Sequence, residues 1–86
     1  MSNIDVVFSR ELLRTVMKTV RKHTTVAQRK SVWVYHFGRG DYEVQSTGKH
    51  AISLKRWYGS ASNAYEARAN FWMRWLEKEG IKEGAE

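Results

Sequence analysis

Between Ser9 and Val20 the apolar residues Leu12, Leu13, Val16, Met17 and Val20 recur at three- and four-residue steps, the spacing that gathers side chains on one side of a helix. Ser9 stands where an N-cap belongs and Glu11 falls in the first turn, so the pattern predicts a helix of about three turns. Ahead of it, Ile4, Val6 and Phe8 alternate with Asn3, Asp5 and Val7, which reads as an extended lead-in over residues 1–8. His23 to Lys30 has two threonines and no period, as a connector would. From Val32 to Phe37 the period becomes two: Val32, Val34 and His36 oppose Trp33, Tyr35 and Phe37. Apolar groups on both sides predict a central strand. Gly38-Arg39-Gly40-Asp41 is a tight turn, after which Tyr42 and Val44 alternate with Glu43 and Gln45 to complete a hairpin. Ser46-Thr47-Gly48-Lys49 turns again, and Ile52 and Leu54 alternate with Ala51, Ser53 and Lys55 in a third strand running to about Trp57.

Trp57 to Leu76 reads as a strand end, a turn and the main core helix. Ser60, Ser62 and Asn63 can accept from the free amides of a first helical turn, which starts the helix near Ser62 or Asn63. At 100° per residue Ala64, Tyr65, Ala67, Phe71, Trp72, Trp75 and Leu76 share a broad apolar side, opposite Glu66, Asn70, Arg74 and Glu77. The charged, glycine-containing tail, residues 79–86, frays past Gly80. The order is α-β-β-β-α: an α+β fold in one domain spanning residues 1–86, with a three-stranded antiparallel sheet covered on one face by two helices. The alternation does not decide which face is covered. With Trp33, Tyr35 and Phe37 turned outward, that face is a stacking platform.

With 42% hydrophobic and 13% aromatic residues, the 86-residue chain buries enough apolar area to fold without staples, which argues against disorder. Cysteine is absent, which excludes disulfides, thiolate metal ligands and a cysteine nucleophile. No apolar run nears the ~18 residues of a membrane span and the N-terminus lacks a signal-peptide pattern, so the expectation is a cytoplasmic protein without membrane association. His23, His36 and His50 lie on separate elements and do not make a zinc site. Nucleophile elbow, phosphate loop and dinucleotide fingerprint are all missing, and Gly38-Arg39-Gly40 sits in a hairpin rather than before a helix. The reading is a non-enzymatic protein with no cofactor. His36 reads as a hydrogen-bonded structural residue of its strand.

Charge sharpens this picture. Residues 1–76 carry a net +8 and residues 77–86 a net −2, for a total of +6. A basic body attracts polyanions at long range. Arg10, Arg14, Lys18, Arg21 and Lys22 follow one another at helical steps opposite the apolar side of the first helix and form a ridge. Arg29 and Lys30 extend the basic run, and Arg39, Lys49, Lys55 and Arg56 come from the turns and the third strand. Arg68 falls at a helical angle between Trp72 and Trp75, on the side assigned to the core. There it either snorkels across the tryptophan faces or presents a guanidinium to phosphate or to an acidic partner.

V-W-V-Y-H-F, G-D-Y-E-V-Q-S, G-K-H-A-I-S-L-K-R-W-Y-G and N-A-Y-E-A-R-A resemble, over residues 32–76, the AP2-like arm-binding domains of phage integrases. That resemblance implies a three-stranded sheet in the DNA major groove with a helix behind it, and Arg39, Gln45, Lys49 and Lys55 as contacts. The element order is also similar to double-stranded-RNA-binding domains, but Ser60 to Ala67 lacks their lysine cluster. N-A-Y-E-A-R-A-N-F-W-M-R-W-L resembles small phage and prophage accessory proteins, many of which redirect host machinery. Two functions follow. One is nucleic-acid binding, DNA in preference to RNA and duplex in preference to single strand, through Arg10, Arg14, Lys18, Arg21, Lys22, Arg29, Lys30, Arg39, Lys49, Lys55 and Arg68. The other is docking onto an acidic surface of a host nuclease, polymerase or anti-phage defence complex.

Overall fold

The helical spacing that starts at Ser9 in the sequence starts earlier in the folded chain. In the computed structural model, which describes residues 3–82, α1 runs over Asn3–His23, so the stretch expected to be an extended lead-in is helical from Asn3 onward. Ser9 is not its cap. It is buried inside the helix and its hydroxyl accepts from Asn63 Nδ2 at 2.9 Å. Six residues alternating in polarity fit a strand or the start of a helix equally well, and contact with a distant element decides between them.

The connector holds a short helix, α2 (Val26–Lys30), closed by a capping box. Thr25 Oγ1 accepts from Gln28 N at 3.1 Å and Gln28 Oε1 accepts from Thr25 N at 2.8 Å. Beyond it lie β1 (Val32–His36), β2 (Asp41–Ser46) and β3 (Arg56–Ser60), antiparallel in the order β1-β2-β3. The central strand is therefore β2, and β1 lies at the edge. Apolar residues on both sides of β1 reflect one packed face and one exposed aromatic face, not burial on both.

The third strand begins at Arg56, later than its apolar alternation implies. Ile52 is buried and Leu54 half-buried, but they belong to an irregular segment. Ser46 pins that segment: its hydroxyl accepts from Ile52 N at 2.9 Å, and its amide donates to Lys55 O at 3.0 Å. Trp75 Nε1 donates to Ser53 Oγ at 3.0 Å, tying the same loop to the last helix.

That helix, α3 (Ala64–Glu79), contacts all three strands and also α1. Two sides of it are consequently buried. Ala67, Ala69, Phe71, Trp72, Trp75 and Leu76 are inside, whereas Ala64 and Tyr65, expected on the apolar side, are exposed. Trp72 meets Phe71 and Trp75 edge-on, with ring centroids 5.2 and 5.6 Å apart. Val16 and Val20 of α1 and Tyr42 and Val44 of β2 complete the core.

Asn63 caps α3, accepting from Glu66 N at 3.0 Å while its amide nitrogen reaches Ser9. Gly80 ends the helix in the left-handed region at φ 72°, and Ile81 N closes back on Leu76 O at 2.9 Å. Helix end and start thus match the sequence expectation, while residues 83–86 of the expected tail lie outside the described residues. Asn63→Ala removes a cap worth ~1 kcal/mol and strips the buried Ser9 hydroxyl of its partner at a similar cost. Urea denaturation should register a loss of about 2 kcal/mol, and Asn63→Asp, which keeps only the cap, about half of that.

Candidate nucleic-acid interface

Strand parity builds the site. On β1, Val32 and Val34 turn toward α3 with His36, whose ring stacks on Tyr42 at 4.3 Å between centroids and 5° between planes. His36 is thus a packing residue at the margin of the sheet. Trp33, Tyr35 and Phe37 consequently point away from the helices, 58%, 44% and 61% exposed. Tyr58 of β3 joins them at 62%. Single exposed apolar residues are ordinary, but four aromatic rings on one face of a small sheet form a patch.

The register shows how the patch is held. Glu43 lies between Tyr35 on β1 and Tyr58 on β3, and Gln45 between Trp33 and Arg56. Phe37 and Tyr58 lean toward each other with centroids 6.3 Å apart. Beneath this cover Glu43 is buried, and its carboxylate pairs with the Arg56 guanidinium, which is itself largely exposed. The central acidic residue is therefore neutralised in place, and the face it supports is aromatic with a basic edge.

Basic side chains stand at both ends of the patch. At one end is the β1–β2 turn, where Gly38, Arg39 and Gly40 all have positive φ and Arg39 sits exposed at the tip. The non-glycine residue tolerates this because glycines on each side take the larger excursions. At the other end Lys30, Lys49, His50 and Trp33 line a shallow groove of about 340 Å³. Its walls are fastened by the Ser31–Ser46 hydroxyl pair at 2.8 Å and by Thr47 N donating to Ser31 O at 3.0 Å. Lys55, exposed, precedes β3.

The fold thus sets Lys30, Arg39 and Lys49 at the ends of this face and separates them from the α1 ridge. Lys55, opposite the buried Ser46, falls by strand parity on the other side of the sheet from Arg56. Arg10, Arg14, Lys18, Arg21 and Lys22 are exposed on the helical layer, across the molecule from the outer sheet face. A single rigid ligand does not span both surfaces. On the ridge, Arg14 pairs with Glu11 at 3.4 Å, and the Arg10 guanidinium lies 5.6 Å from the Tyr65 ring centre. Arg29 is half-buried and donates through Nη1 to Thr24 O at 2.8 Å and Thr24 Oγ1 at 2.9 Å, closing the junction between α1 and α2. Arg68 is exposed and borders a cleft together with Trp72. Its helical angle lies between Trp72 and Trp75 as expected, and its side chain reaches the surface from there.

Tyr58 and His50 are the site residues that pattern reading missed. The signal was present for Tyr58: once β3 starts at Arg56, parity places it on the outer face with Arg56. Among the described residues no cluster of histidine and carboxylate side chains is arranged to hold a metal, and no helix is long and apolar enough to cross a membrane. No family model, curated protein or solved structure matches the chain.

Proposed function

We propose that the protein binds nucleic acid on the outer sheet face, stacking unpaired bases on Trp33, Tyr35, Phe37 and Tyr58 and holding phosphates with Lys30, Arg39 and Lys49. The observation that carries this reading is the exposure of four aromatic rings on one face whose ends are basic. Bases in a duplex offer their edges and not their faces, so an aromatic surface of this kind favours an unpaired strand. This reading departs from the duplex expectation that the integrase-arm resemblance implies. Each stacked base contributes ~1–3 kcal/mol, and a sheet of this width seats two or three.

Fluorescence anisotropy with a labelled single strand and the matching duplex tests the proposal. The single strand should bind more tightly, with tryptophan quenching and a log–log salt slope near −2, since three phosphate contacts each contribute about −0.7. At about 0.15 M salt, where charges beyond ~8 Å are screened, Lys30→Glu with Lys49→Glu should weaken binding far more than Arg14→Glu, Lys18→Glu and Arg21→Glu combined. The reverse order, or no binding at low salt, defeats the sheet reading.

Exposed Trp33 and Tyr58 beside Arg56 are also the residue types that dominate protein interfaces, which favours a second reading: docking onto an acidic surface of a host complex. Capture of a partner from lysate that survives nuclease treatment and is lost with Trp33→Ala, together with failure to bind oligonucleotides, selects it.

A further inference from the structure

Where α1, α2, β1 and α3 meet, the chain leaves a cleft of about 210 Å³ walled by Leu13, Met17, Val32 and Trp72 together with Arg29 and Arg68. Among the described residues no acidic side chain lines it. Arg29 cannot swing away, because its Nη1 is held by both oxygens of Thr24. Two arginine side chains therefore border one small opening, and among the described residues no carboxylate lines it. An anion seated between them relieves their repulsion and uses their fork geometry.

Size and chemistry narrow the occupant. The cleft is smaller than the ~300–1,000 Å³ of ordinary small-molecule sites and suits a single side chain. A phosphodiester satisfies the arginines but leaves the apolar walls without a partner, whereas a neutral apolar group fills the walls and leaves the arginines. A C-terminal leucine, methionine or phenylalanine carries an apolar side chain and a carboxylate on the same carbon. We infer that this cleft captures the free C-terminal residue of a partner polypeptide, its side chain between Leu13, Met17, Val32 and Trp72 and its carboxylate on Arg68 and Arg29. The site faces away from the aromatic platform and does not depend on it.

The test titrates the full chain with acetylated hexapeptides ending in leucine or phenylalanine, as free acids and as amides, and follows the methyl resonances of Leu13, Met17 and Val32. Free acids should bind with sub-millimolar Kd and shift these methyls, and the amides should bind at least tenfold more weakly. Arg68→Gln should reduce the acid to the level of the amide, and Arg68→Lys should keep part of the difference. Arg68 is exposed, so both variants should retain the parent circular dichroism. Equal binding of acid and amide, methyls that do not move at millimolar peptide, or displacement of the peptide by adenosine monophosphate at lower concentration overturns the assignment.

Discussion

Replacing Trp33 and Tyr58 together with alanine should weaken binding of an unpaired oligonucleotide by about thirtyfold or more while the protein stays folded. Both rings are more than half exposed, so little of their area is buried by folding, and truncation costs the native state on the order of 1 kcal/mol. In the complex each ring covers a base, and losing two stacking contacts of ~1–3 kcal/mol each gives a factor of roughly 30 to 10⁴. Anisotropy titrations paired with urea denaturation separate the two effects. Trp33→Phe with Tyr58→Phe should retain most of the affinity, because the stacking face survives. Were the alanine variant to bind the strand unchanged, the rings would have no part in recognition. The salt slope should change little in the same variant, since phosphate contacts are untouched.

The largest structural effect is expected at Phe71. It is the largest side chain with no exposure, lying edge-on to Trp72 within the layer that joins α3 to the rest of the core. Phe71→Ala removes its transfer energy and leaves a cavity, a loss of ~3–5 kcal/mol. A chain of this length has a total stability of about 4–13 kcal/mol, so the variant should lose between about a quarter and all of its margin. Urea midpoints and near-ultraviolet circular dichroism of the tryptophans should show it, and Phe71→Leu should cost about 1 kcal/mol. Oligonucleotide affinity should fall only in proportion to the unfolded fraction. A Phe71→Ala protein as stable as the parent would mean that α3 is not the element on which the sheet is assembled.

Helix and turn boundaries that depend on local chemistry were legible in the chain. Asn63 and Gly80 bracket α3 because an N-cap acceptor and a left-handed C-cap are properties of single residues. The capping box of Thr25 and Gln28 is a local signal of the same kind, overlooked because α2 is too short to show a period. The third strand was misplaced for a different reason. Ile52 and Leu54 alternate as a strand would, yet Ser46 and Trp75 hold that segment as a packed loop, and the ladder passes to Arg56–Ser60.

The candidate site divides along the same line. Exposure of Arg39 and Lys49 was legible because turns lie at the surface. Their assembly around an aromatic face was not, because it depends on which side of β1 the helices cover. Alternation assigns Trp33, Tyr35 and Phe37 to one face without saying whether that face is wet.

By itself the sequence determined the α-β-β-β-α order, the three-stranded antiparallel sheet, the cap and stop of α3 and the basic character of the surface. Each of these follows from local periodicity, capping chemistry or composition. The tertiary structure decided that β2 is central, that α1 reaches back to Asn3, that Arg68 and Arg29 border a cleft and that the aromatic side of the sheet is open. These outcomes depend on α3, which buries two sides at once, one on the sheet and one on α1. A short alternating segment carries no record of which of its faces a distant helix will cover.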